Sequence, residues 1–186
     1  MIYQVPIHSP PLETSSMAEP PSIPEAWLRG PIEGIQPLLQ PAAHTLAQVG
    51  EDVLPIVENL APARLWARPG AAASIGFYLA HLPGSLDRLL TYSRGESLTS
   101  EQLSALAAER TVDQDRPELS VLLARFRTAL EAAMTYLRAV PADSLLQPRE
   151  VGRKRLPSTT LGLIFHAAEH SARHAGQIVT LSKVVH

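Results

Sequence analysis

The sequence predicts an all-α fold, a four-helix bundle behind a proline-rich arm, on three observations. Leucine (27) and alanine (25) dominate the 186 residues and the aromatic share is only 5%. Strong helix formers therefore outnumber the β-branched and aromatic residues that strands prefer. Nine of the 17 prolines fall before Ala42, which gathers the residues most hostile to helix at one end. Beyond them, apolar residues recur at helical spacing in four stretches of roughly 20 residues, the pattern of a four-helix bundle.

Taken in order, residues 1–35 read as an irregular arm, because Pro6, Pro10, Pro11, Pro20, Pro21, Pro24 and Pro31 break any helix. Trp27, Leu28, Ile32 and Ile35 are its candidates for contact with the core. Residues 36–186 form the helical domain. Its first helix spans Pro37 to Asn59, with Leu39, Ala43, Leu46, Val49, Val53 and Ile56 near one stripe and Pro55 a break point. The second opens at the N-cap Ser74 and ends near Gly95. A short helix is expected across Glu101 to Glu109. The third runs from Asp115 or Arg116 to Val140, with Pro117 in its first turn and Leu119, Leu122, Leu123, Phe126, Leu130, Ala133 and Leu137 on one face. The segment Pro141 to Pro157 is long enough for a hairpin or a crossing loop. The fourth helix opens near Ser158 and closes near Lys183.

Composition narrows the function. A formal charge of −2 argues against a strongly basic nucleic-acid binder, since neutralising phosphates takes a surplus of Lys and Arg; the expectation is no nucleic-acid partner. No apolar run approaches a spanning length and no basic, apolar leader opens the chain, so no membrane partner and a cytoplasmic location are expected. Cysteine is absent, so a metal would be held by His, Asp or Glu. That absence suits an oxidising compartment as well. The run Arg149, Arg153, Lys154, Arg155 is diluted by Glu150 and reads as a solvated loop, with an anion-binding rim as the alternative.

Histidine placement is the informative feature. His8 and His186 read as solvated bystanders, and His44 as structural. His166, His170 and His174 recur at i, i+4 and i+8 on the fourth helix, where neighbours are offset by about 40° and two imidazoles reach one ion. Gln177 shares that stripe. His81 heads another row with Ser85, Arg88 and Tyr92 on the second helix, and a bundle brings such rows together in its interior. Arg88 and Tyr92 lie within roughly 20° of His81 on the helical wheel. With Ser85 they are candidates to orient an anionic substrate. The competing reading of Arg88 is an ion pair with an acidic residue of another helix. The run His166-Ala167-Ala168-Glu169-His170 matches the H-x-x-E-H signature of inverted zinc peptidases. Those enzymes need a further acidic ligand downstream, and Ser171 to His186 holds none.

Two blocks carry a family resemblance. The first is Leu65-Trp66-Ala67-Arg68-Pro69-Gly70, then Ser74 to His81 and Gly84 to Leu89; the second is Leu163 to Ile178, with His170-x-x-x-His174 running into Gly176-Gln177-Ile178. Together with the helix pattern over about residues 36 to 184, they make the chain resemble the DinB/YfiT-like superfamily of metalloenzymes. The resemblance implies a long crossover between the second and third helices of the bundle, a homodimer, and a divalent ion such as zinc or nickel on His81, His170 and His174. His166, Gln177 and Glu169 then stand as outer supports or replacement ligands. Pro83 and the proline-rich arm depart from the pattern.

Three neutral ligands leave an ion its full charge and an open position for water or a thiol. The superfamily includes transferases and isomerases that use thiols such as bacillithiol and mycothiol. Three functions follow: a metal-dependent transferase joining a low-molecular-weight thiol to a small-molecule substrate, a hydrolase using metal-bound hydroxide, and a non-catalytic metal-binding stress-response dimer. No catalytic residue is assigned.

Overall fold

The computed structural model describes residues 23–185; residues 1–22 of the arm, with His8, and His186 lie outside it. Seven α-helices, three short 3-10 helices and one small hairpin make up the regular structure of the described residues. Four helices are long: α1 (Gln40–Val57), α3 (Ile75–Ser93), α6 (Leu119–Ala139) and α7 (Thr160–Val184). Between them lie α2 (Pro62–Leu65), α4 (Ser100–Ala108) and α5 (Val112–Asp115). The mostly helical class stands.

Local chemistry sets the ends. The Ser74 hydroxyl accepts from the Phe77 amide at the start of α3, and the Thr159 hydroxyl accepts from the Gly162 amide at the start of α7, each satisfying a donor the first turn would leave orphaned. Thr99 and Gln102 form a capping box on α4. The third long helix begins at Leu119, later than Asp115 or Arg116. Arg116 takes a left-handed conformation (φ 44°) as the cap of α5, so the chain leaves helical geometry before Pro117 and re-enters after Glu118. Pro55 lies inside α1 without ending it, and α3 runs on through Pro83 to Ser93.

α7 packs against α1 and α3, and α6 packs against the same two helices. One core cluster joins Val53, Trp66, Ile75, Leu79, Phe126 and Ile178; a second joins Leu39, Leu46, Leu86, Leu90, Leu137 and Ile164. Between α6 and α7, strands β1 (Pro148–Val151) and β2 (Leu156–Thr159) pair antiparallel, a β element that departs from an all-α chain. Arg149 donates to the Ser93 carbonyl (2.8 Å) and ties this hairpin to the end of α3.

Of the four candidates for holding the arm, Ile35 and Ile32 meet the core and Trp27 and Leu28 do not. Trp27 and Leu28 stay 62% and 57% exposed, while Ala26 and Ile35 are buried. Polar side chains of α1 supply the remaining hold. Gln48 accepts from the Ala26 amide (2.8 Å), and Gln40 bonds the Ile32 amide and the Ile32 and Ile35 carbonyls. His44 donates to the Gly30 carbonyl at 2.9 Å.

Candidate metal centre

α3 carries His81 in its second turn and α7 carries His170 and His174, four residues apart and therefore on one face. Because α3 and α7 pack together, the three rings meet. Nε2 of His170 lies 3.1 Å from Nε2 of His81 and 3.1 Å from Nε2 of His174. One nitrogen from each residue falls within 4.8 Å of the others, and all three side chains are half-buried.

These residues fit a divalent cation. A neutral imidazole nitrogen is either a donor or an acceptor, so Nε2 of His170 cannot satisfy both neighbours by hydrogen bonding. A cation at the meeting point satisfies three lone pairs at once. Ligand atoms spaced tetrahedrally around zinc, each about 2.0–2.1 Å from it, stand about 3.3 Å apart, close to the separations seen. The His170 and His174 rings are also biased toward the neutral form. Burial, then the neighbouring His174 and His81, pushes the His170 pKa from 6.5 down to about 4; burial chiefly lowers that of His174.

Contacts behind the three imidazoles orient them. The His81 Nδ1 meets Oε2 of Glu109 at 2.7 Å, and Glu109 Oε1 accepts from Nη1 of Arg88 at 2.6 Å. Burial raises the Glu109 pKa, but the hydrogen bonds from His81 and Arg88 outweigh it and hold the carboxyl below its ordinary value. Nδ1 of His174 donates to Oε1 of Gln177, one turn along. The Phe77 ring stacks on His81 at 5.7 Å, and the Tyr78 ring tilts over His174 at 5.0 Å.

The other candidates fall around this centre. The His166 ring lies 5.7 Å from that of His170 and faces solvent, with Nδ1 3.4 Å from Glu169. Glu169 also pairs with Arg173 at the surface. Arg88 is buried in the ion pair that competed with a substrate role, Ser85 is buried, and Tyr92 is half-buried further along α3. Glu109, Phe77 and Tyr78 escaped the sequence reading. Glu109 closes the short helix expected there, yet no spacing rule ties it to His81. Beyond Glu109, a cleft of about 870 Å³ opens between α3, α4 and α6.

A family model described as the DinB superfamily matches residues 45–178. The chain belongs to the DinB superfamily. The match takes in all three converging histidines. No curated protein matches the sequence. Among solved structures, this superfamily member resembles the colibactin self-resistance protein ClbS, in a crystal structure with double-stranded DNA. The two are 16% identical with a TM-score of 0.56, covering 78% of this chain and 95% of ClbS. It also resembles an uncharacterised protein from Escherichia coli UTI89, with 13% identity, a TM-score of 0.53, and coverage of 77% and 91%.

These findings correct one expectation. A protein of this fold is in complex with DNA, so the exclusion of nucleic acid does not stand. Net charge is a sum over the whole chain, whereas phosphate contact depends on local clusters. Arg153 and Lys154 are exposed at the hairpin turn whatever the total. Among the described residues, no helix is long and apolar enough to cross a membrane.

Proposed function

We propose that the chain binds a divalent cation, zinc or nickel, through Nε2 of His81, His170 and His174, within a four-helix bundle formed by α1, α3, α6 and α7. The loaded site serves a transferase that joins a low-molecular-weight thiol to a small electrophile. The observation that carries this reading is the convergence of three imidazole nitrogens from α3 and α7. When bound, an ion on three neutral ligands supplies a Lewis-acid position at which a thiol ionises. The absence of cysteine from the sequence is consistent with sulfur brought by a cosubstrate. Gln177 holds the His174 ring, Phe77 and Tyr78 limit water around the ligands, and His166 and Glu169 flank the solvent side. Tyr92 and Ser85 continue the His81 row as candidates to contact substrate. Arg88, spent on Glu109, acts as support. A homodimer and a cytoplasmic location complete the reading.

Elemental analysis of untagged protein should find about one zinc or nickel per chain. Metal-replete protein should then consume a small thiol in the presence of an electrophile. Ester or amide hydrolysis without thiol consumption would replace the transferase by a hydrolase. Silence in both assays would leave a metal-binding stress-response dimer. A binding arm with double-stranded DNA belongs in the same panel, because ClbS shares this fold.

A further inference from the structure

Behind the three ligands sits a charged group with little access to water. Side-chain exposure is 10% for Arg88, 12% for Glu109 and 20% for His81. Glu109 reaches these α3 residues from the C-cap of α4, across 28 residues of sequence from His81. A carboxylate brought this far into the fold needs partners, and both of its oxygens have one.

We infer that Glu109, aimed by Arg88, is the positioning residue of the metal centre, and that it fixes His81 in the tautomer whose Nε2 is free to bind an ion. The inference rests on the metal-binding reading above. An ionised carboxylate only accepts hydrogen bonds, so Oε2 of Glu109 requires a proton on Nδ1 of His81. Nε2, the atom turned toward His170, is then left with its lone pair. Arg88 occupies Oε1 and leaves Oε2 for His81. The α3 backbone makes room for the pair: a Cβ on Gly84 would stand 2.7 Å from both Arg88 Nη1 and Glu109 Oε1. His174 obtains the same service from Gln177 on its own helix. His81 has its acceptor only because the segment between α3 and α6 turns back over α3.

The test reads the imidazole as well as the ion. Nitrogen–proton correlation spectra of histidine-labelled, metal-free protein report the tautomer of each ring, and competition with a chelator reports zinc affinity. Wild-type His81 should carry its proton on Nδ1. Glu109→Ala removes the acceptor, and in Glu109→Gln the one amide oxygen goes to Arg88 and turns the NH2 toward Nδ1, so both should move the proton toward Nε2 or a mixture and weaken zinc binding about 10- to 100-fold. Glu109→Asp should recover part of both. The His174 tautomer, set by Gln177, should hold in every variant and serves as the control for folding. If Glu109→Ala does not fold, Glu109→Gln and Glu109→Asp carry the comparison. An unchanged His81 tautomer with unchanged zinc affinity in the Glu109→Gln protein would overturn the inference. A wild-type protein that takes up no zinc, yet whose His81 tautomer follows Glu109, would overturn the metal reading while upholding the hold of Glu109 on His81.

Discussion

His81, His170 and His174 each contribute one nitrogen, so truncating any of them leaves two imidazoles, too few to hold an ion at stoichiometric occupancy. His81→Ala, His170→Ala and His174→Ala should each abolish metal retention through gel filtration. His166→Ala should retain most of the metal, since its ring faces solvent beside Glu169. The reverse pattern, retention in His170→Ala and loss in His166→Ala, would place the ligand set one turn away. The depressed His170 pKa also has a consequence for the metal-free protein. Between its folded value of about 4 and the ordinary 6.5, the unfolded chain binds more protons than the folded one, so acid favours unfolding. Stability should be complete above about pH 6.5 and fall as pH drops toward 4, read as a declining urea midpoint. His170→Asn should flatten that decline; an unchanged pH profile in this variant would sever the link. His170 is partly open to water, so the slope will be gentler than for a sealed site.

At the level of elements, Gly84 sets two effects against each other. Alanine in the interior of α3 should stabilise the helix by roughly 0.8–1 kcal/mol over glycine. Its Cβ, however, would press on the Arg88–Glu109 pair at 2.7 Å. Gly84→Ala should therefore lower zinc affinity several-fold, without the rise in metal-free melting temperature that helix propensity alone requires. A higher melting temperature with wild-type affinity would show that the pair simply moves aside. The contrast between Gln177 and Glu109 explains what the sequence could disclose. A helix repeats every 3.6 residues, so spacing alone puts His170, His174 and Gln177 on one face. Glu109 meets His81 only through the path of the connection between two long helices, which no periodicity records. The same physics moved the start of α6 beyond Pro117, because Arg116 adopts a left-handed turn. It also left Trp27 and Leu28 at the surface, because backbone bonds to Gln40 and Gln48 hold the arm without them.

For the whole molecule, the proposed ion, shared by α3 and α7, would bind the folded chain and not the unfolded one. At a free concentration about 100 times Kd it adds about 2.7 kcal/mol, which for a chain of this length is roughly 5–10 °C in Tm. Adding a chelator should lower Tm by that amount, and His81→Ala should be insensitive to it. A chelator effect equally large in the variant would trace the stabilisation to some other ion. The positions of the ligands in the chain also govern when the site comes into being. His81 and His170 are 89 residues apart, and joining such distant points costs about 4 kcal/mol of chain entropy. α7 is the last long helix of the described chain and packs between α1 and α3. Before it docks, His81 is separated from the histidines of α7, and the three-nitrogen cluster does not exist. On the metal-binding reading, capture of the ion therefore waits for α7 to meet α3, and zinc uptake measured during refolding should be no faster than the docking of these two helices.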